Sequence, residues 1–124
     1  MATDDKRDSD GGTDAVMVYA TFPDEAAAAA VAEALVCAGL IACANVMPGV
    51  TSFFIWEGRL EREREVAVVM KTVRALAADV VAETRRRHTY DNPAVIVLPI
   101  VAGSADYLAW IALQTRHAKA QAGG

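Results

Sequence analysis

The chain has 124 residues, 54% of them hydrophobic, which is enough apolar material for one packed domain and too short for two. The net charge of −4 sits mostly at the start: MATDDKRDSDGGTD holds five Asp against Lys6 and Arg7, a net of −3, leaving −1 from Ala15 onward. A near-neutral body excludes the basic footprint of a nucleic-acid or membrane-surface protein, and no apolar run approaches the ~18 residues of a membrane span.

Residues 1–14 are polar and glycine-bearing and read as a disordered acidic tail without the basic start and apolar middle of a signal peptide. AVMVYATF (Ala15–Phe22) is short, apolar and β-rich, as a buried central strand requires. Pro23 and Asp24 then open a helix through PDEAAAAAVAEALVCAGL. Ala27, Val31, Ala34, Leu35 and Ala38 form its apolar stripe, and Gly39 stops it.

IACANVMPGVTSFFIW predicts a strand interrupted at Pro48-Gly49 by a bulge or bend, because proline has no N–H for a ladder. Gly58 marks a turn, and Val66–Thr72 resumes as a strand. Between them, Arg59 to Glu65 alternates in charge and has no apolar face, so it belongs at the tip of a long projecting hairpin. Such a hairpin exposes strand edges unless its charges protect them or another subunit pairs with them. Thr72 is placed to cap the next helix, VRALAADVVAETRRR, with Val73, Leu76, Ala77, Val80, Val81 and Thr84 inward and Arg85, Arg86 and Arg87 at its negative end. AVIVLPIVAG is the last strand. SADYLAWIALQTRHAKA is a closing helix with Tyr107, Leu108 and Ile111 inward, and residues 118–124 form a flexible end. The order is β-α-β-β-α-β plus a C-terminal helix: an α+β, ferredoxin-like fold over residues 15–117, with helices on one face of an antiparallel sheet.

Two cysteines are too few for a disulfide framework, so Cys37 and Cys43 read as free, mostly buried thiols in a reducing compartment, by default the cytoplasm. No Gly-x-Ser-x-Gly elbow, phosphate loop or dinucleotide fingerprint is present, and two histidines leave little for general acid–base work, so neither an enzyme nor an organic cofactor is expected.

The motifs Ala-Cys-x-Asn, Pro-Gly-Val, Trp-Glu-Gly, Lys-Thr before a helix, His-x-Tyr, Leu-Pro-Ile and Asp-Tyr-x-x-Trp-Ile occur in that order across about residues 15–113. Together they resemble the CutA family of divalent-cation-tolerance proteins. The resemblance implies a tight homotrimer, similar to the nitrogen-regulatory signalling trimers, and a link to copper and other divalent cations without catalytic chemistry. It implies that Cys43, Trp56, Glu57, Lys71, His88, Tyr90 and Asp91 line clefts between subunits.

In a metal reading, Cys43 and His88 supply a thiolate and an imidazole suited to copper or zinc, and Asp91 adds an oxygen. No Cys-x-x-Cys or His-x-x-x-His spacing supports a site within one subunit. The family turn usually reads His-Pro-Tyr-Glu-x-Pro-Glu. Here it is His88-Thr89-Tyr90-Asp91-Asn92-Pro93-Ala94, which shortens one carboxylate and removes another. The alternative for His88 is a helix-end residue that satisfies carbonyls; for Cys43, a small buried hydrophobe. Trp56 and Trp110 read as packing anchors, and His117 as a solvated side chain near the end. A second functional reading, motivated by Lys71, Tyr90 and the helix-end arginines Arg85, Arg86 and Arg87, places a small anion or metabolite in the cleft of a signalling or scaffold trimer.

Overall fold

The computed structural model describes residues 12–123, with side chains through Thr115. Its elements are β1 (Ala15–Phe22), α1 (Glu25–Cys37), β2 (Cys43–Trp56), β3 (Arg59–Val73), α2 (Arg74–Arg87), β4 (Val95–Pro99) and α3 (Ala105–Gly123). The strands make one four-stranded sheet in the order β2-β3-β1-β4, with every neighbouring pair antiparallel. This is the expected ferredoxin-like arrangement with an added C-terminal helix.

Side chains alternate along a strand, and β1 separates two environments accordingly. Val18, Ala20 and Phe22 join Val66, Val68 and Met70 of β3 in a core closed by Ala28, Val31 and Leu35 of α1 and Val80 of α2. Alanine on the inward side of α1 lets that helix lie close to the sheet. Asp24 caps α1, its Oδ1 accepting from Ala27 N at 2.8 Å. At the other end Gly39, at φ 73, lets Leu40 N donate to Leu35 O and Gly39 N to Val36 O, both at 3.0 Å. That left-handed residue ends the helix as the sequence requires.

The other face of the sheet carries Met17 and Tyr19 of β1, Ile96 and Leu98 of β4, Ala67, Val69 and Lys71 of β3, and Cys43, Asn45 and Met47 of β2. α3 covers only one end of it, where Ile111 is buried with Ala15 and Ala42 beside Val73, Ile100 and Leu108. The rest is open, with Ile96 54% exposed.

The hairpin is a single ribbon in which β3 runs unbroken from Arg59 to Val73. The ladder slips between Met47 and Val50, so Pro48 and Gly49 together oppose Val66. Of the bulge or bend that the proline predicts, the chain forms a bulge. A two-residue turn, Glu57 (φ 50) and Gly58 (φ 77), joins Trp56 to its partner Arg59, the double left-handed geometry that suits a twisted hairpin.

Several sequence expectations give way to tertiary contacts. Thr72 does not cap α2; it is fully buried and its hydroxyl donates to Leu40 O at 2.7 Å. Val73 takes the cap position without a side-chain bond. Cys37 and Ala38 are exposed rather than inward, because Ala28, Val31, Ala32 and Leu35 set the buried stripe and Cys37 falls on the far side of it. β4 stops at Pro99, since its partner β1 begins at Ala15. Beyond that point Ile100 N donates to Ala15 O and Thr13 N to Ile100 O. Of the expected N-terminal tail, residues 1–11 lie outside the described residues, whereas Thr13 and Asp14 are held: Arg74 Nε donates to Thr13 O at 2.9 Å and Arg74 N to Asp14 O at 2.8 Å. Of the C-terminal stretch 118–124, the backbone of α3 reaches Gly123, and Gly124 lies outside the described residues, as does the side chain of His117.

Thr84 on α2 is buried, and its Oγ1 has no hydrogen-bond partner among the described residues. An unsatisfied buried hydroxyl costs about 1–3 kcal/mol. Thr84→Val keeps the shape and removes the hydroxyl, so it is expected to raise unfolding stability by about 1 kcal/mol in urea titration. A loss of stability would reveal a partner for that oxygen.

Candidate functional site

The turn after α2 is built around His88. Its backbone caps the helix, N donating to Arg85 O at 3.2 Å, and its ring folds back on β1. Nε2 lies 2.6 Å from Thr21 O, and Nδ1 lies 3.1 Å from Tyr90 N. A carbonyl only accepts and an amide N–H only donates, so Nε2 carries the proton and Nδ1 accepts. The ring stacks on Phe22 at 4.5 Å between centroids and meets Tyr90 at 4.7 Å. Both nitrogens are thereby committed to the backbone.

Tyr90 continues the connection. Its Oη donates to Glu65 Oε2 at 3.0 Å, and Glu65 Oε1 accepts from Ser52 Oγ at 2.6 Å. Burial, then the bond to Glu65, pushes the Tyr90 phenol up to about 12. The turn is thus a strut from the end of β1 to the base of the hairpin. Asp91 is exposed and has no polar partner among the described residues. Two of the helix-end arginines are committed to Glu83: Arg86 by a fork at 2.7 and 2.9 Å and Arg87 at 3.1 Å. The hydrogen bond from Arg86, followed by Arg87, holds the Glu83 carboxyl down at about 2.

A second group lies on the open sheet face. Cys43 and Lys71 are cross-strand partners, with Met17 opposite Lys71 on its other side. Cys43 Sγ is 3.4 Å from Tyr107 Oη; Lys71 Nζ donates to Asn45 Oδ1 at 2.8 Å and to Tyr107 Oη at 3.4 Å. Lys71 also stands over the Tyr107 ring, which stacks on Trp110 at 5.5 Å. Lys71 has no carboxylate partner among the described residues, so this half-buried group is a cation flanked by a thiol, an amide oxygen and a phenol.

The fold therefore brings Cys43 and Lys71 together on the open face and His88 and Tyr90 together at the turn after α2, and sets these two groups apart from each other and from Trp56 and Glu57. Cys43 lies level with Met17 and His88 with Thr21, four residues along the sheet, or roughly 13 Å. Trp56 (59% exposed) and Glu57 are at the far tip of the hairpin. Among the described residues no three His, Cys, Asp or Glu side chains stand together as a metal site. The described residues of this chain do not by themselves fit a complete metal centre.

Sequence reasoning missed Asn45, Tyr107, Glu65 and Ser52 as members of these groups. Asn45 had a usable signal, two residues from Cys43 and hence on the same face. Tyr107 is one helical turn before the buried Ile111, but its contact with Lys71 depends on where α3 crosses the sheet. Nothing local distinguishes Glu65 from the other glutamates of its run.

Because the folded Tyr90 keeps its proton above the ordinary value of 10.0, its stabilising effect is complete below pH 10 and declines as pH rises towards about 12. Unfolding midpoints measured from pH 9 upward should fall through this window, and Tyr90→Phe should flatten that part of the profile. An unchanged slope in Tyr90→Phe would assign the alkaline loss to another group.

The family model described as CutA1 divalent ion tolerance protein matches residues 16–114. The chain is 40% identical over 98 residues to the Divalent-cation tolerance protein CutA of Salmonella newport (strain SL254), which covers 79% of this chain and 85% of the relative. Among solved structures, CutA from Xylella fastidiosa aligns with a TM-score of 0.82 at 27% identity, covering 83% of this chain and 99% of that one. CutA1 from Oryza sativa aligns with a TM-score of 0.80 at 34% identity, covering 82% and 94%.

Proposed function

The chain belongs to the CutA1 divalent ion tolerance protein family, and from that premise we propose that it is a homotrimeric binding protein that takes up divalent metal ions, copper foremost, in cation tolerance. The observation that carries the metal reading is Cys43, a half-exposed thiol on the open sheet face beside Tyr107 and Asn45. A thiol is a soft donor suited to copper or zinc. Because one subunit offers no group of three donors among its described residues, the site is one shared between copies. His88 contributes to it only by giving up its bonds to Thr21 and Tyr90, whereas the Asp91 carboxylate has no polar partner among the described residues. Trp56, Glu57 and Tyr90 are assigned to the walls of the cleft between copies.

Assembly is supported by the apolar sheet face that α3 leaves open and by the hairpin, where Phe53, Ile55 and Leu60 are each more than 60% exposed. Patches of that kind mark interfaces. No described helix is long and apolar enough to cross a membrane, and two unpaired cysteines suit a reducing compartment, so we assign the protein to the cytoplasm. The reading is of a binding protein rather than an enzyme: His88 has no ring nitrogen left for proton transfer.

Lys71 favours one alternative. A cation without a carboxylate partner among the described residues, next to a phenol on an open face, suits a small anionic metabolite held by a signalling trimer.

Calorimetric titration of the purified protein with Cu(II) and Zn(II) separates the two. Uptake should fall at least tenfold in Cys43→Ser and after thiol alkylation, and should persist in His88→Gln. Uptake unchanged in Cys43→Ser removes that residue from the site, and loss of anion binding alone in Lys71→Met favours the alternative. Light scattering should give three times the 13.1 kDa subunit mass; a monomer would overturn the trimer.

A further inference from the structure

The two thiols of the chain stand in different company, and only one has an amine beside it. Cys43 heads β2 directly opposite Lys71 of β3, and residues opposed across an antiparallel ladder carry their Cβ atoms about 4.5–5.5 Å apart. Next to this pair, Ala42 N donates to Lys71 O at 2.8 Å, which pins the two backbones together. One hydroxyl then joins the two side chains: Tyr107 Oη lies 3.4 Å from Cys43 Sγ and accepts from Lys71 Nζ at 3.4 Å. Tyr107 is placed by Ile111, one turn further along α3 and fully buried in the cluster with Ala15 and Ala42.

Lys71 is held by an amide oxygen and a phenol, and among the described residues no carboxylate locks it into an ion pair. Cys43 is half-exposed, within reach of a small oxidant. Cys37 is the contrast: it is exposed on α1, and its sulfur has no hydrogen-bond partner among the described residues. A cysteine sulfenic acid is electrophilic at sulfur, and a nitrogen close enough captures it as a sulfenamide before further oxidation makes the damage irreversible.

We propose that Cys43 and Lys71 form a reversible sulfenamide crosslink when hydrogen peroxide oxidises the thiol. In the first step the Cys43 sulfur attacks one peroxide oxygen: the S–O bond forms, the O–O bond breaks, and the departing hydroxide leaves as water with the thiol's proton. Sulfur is oxidised by two electrons and peroxide is reduced. In the second step the unprotonated Nζ of Lys71 attacks that sulfur: the S–N bond forms, the S–O bond breaks, and the hydroxyl leaves as a second water with a proton from the nitrogen. Tyr107 is a positioning residue, since its hydroxyl touches both partners and keeps the amine beside the sulfur. A thiol reductant reverses the bond: one thiol attacks the Cys43 sulfur and releases the amine, and a second frees the cysteine as a disulfide of the reductant. The crosslink consumes the thiol and the amine together, so one oxidation removes both the soft donor of the metal reading and the cation of the anion alternative. That regulatory consequence rests on the reading of Cys43 as a metal donor; the crosslink itself does not.

The test treats the full chain, metal-free and with circular dichroism as the check on folding, with hydrogen peroxide and maps its peptides by mass spectrometry with fragmentation. In the wild type the peptides bearing Cys43 and Lys71 should be joined and lighter than their sum by two hydrogens, and dithiothreitol should release them. Lys71→Arg keeps the charge without a nucleophilic amine; it should abolish the joined species and raise Cys43 sulfinic acid at least tenfold. Tyr107→Phe should lower the joined yield several-fold while dimedone, a sulfenic-acid trap, still labels Cys43. Cys37 in the same molecules should be trapped or over-oxidised and never joined to a lysine. Wild-type Cys43 recovered as sulfinic acid or as a disulfide between copies, in place of the joined peptide, would overturn the proposal, as would Lys71→Arg oxidising to the wild-type products. Copper titration of the desalted protein separates this from the metal reading. Uptake lost on oxidation and regained after reduction supports both; crosslinked protein with unchanged uptake removes Cys43 from the metal site alone, and uptake without any crosslink defeats the crosslink alone.

Discussion

The antiparallel pairing of β1 with β3, in register from Ala15↔Val73 to Phe22↔Val66, is the constraint on which the other features depend. Because side chains alternate, this one ladder decides which residues meet the helices and which do not. Val18, Ala20 and Phe22 lie with Val66, Val68 and Met70 under α1 and α2. The intervening positions then have no choice: Lys71 and Cys43 must share the open face, and Tyr107 meets them only because α3 crosses that end of the sheet. The polar group on the open face is a by-product of core formation on the other side, refined by one helix.

The turn at His88 shows how a residue with chemical potential can be absorbed by structure. Its imidazole closes two backbone hydrogen bonds of opposite polarity and stacks on a core phenylalanine, Phe22. That aligns Tyr90 with Glu65 and fixes the hairpin base to the end of β1. A histidine at a helix end, next to a tyrosine and an acid, offers the same letters to a metal site and to a strut. The distances here belong to the strut. Cys43 is different, since the polar neighbour of its sulfur among the described residues is the Tyr107 hydroxyl, and it stands on the sheet face that the helices leave open.

Much of the architecture was legible from the chain because its signals are local. β1 begins and ends where its apolar run does; the break at Pro48-Gly49 follows from a missing N–H; Gly39 marks a left-handed stop. The residues misplaced from sequence are those whose neighbours are remote. Thr72 has a capping residue's chemistry, but Leu40, 32 positions away, takes its hydroxyl. Cys37 has an apolar side chain in an apolar helix, and its exposure depends on which of several alanine stripes the sheet selects. The candidate site was legible as a set of residue types and only partly as a place. Cys43 and Lys71 meet through strand register, whereas the distance from Cys43 to His88 is set by the stretch of β1 from Met17 to Thr21, which no local pattern reports.

The alternating arm also limits how this region can change in length. A substitution in Arg59–Glu65 alters one side chain on one face. Inserting or deleting a single residue in one strand of the arm, where no bulge absorbs it, instead carries that strand's side chains between that point and the tip to the other face, exchanging Arg for Glu on β3 or Phe53 for Phe54 on β2. A change of two residues preserves the sides. The arm can therefore lengthen or shorten in even steps at little cost to its surface pattern, while an odd step keeps the sides only where a bulge like that at Pro48-Gly49 absorbs the extra residue.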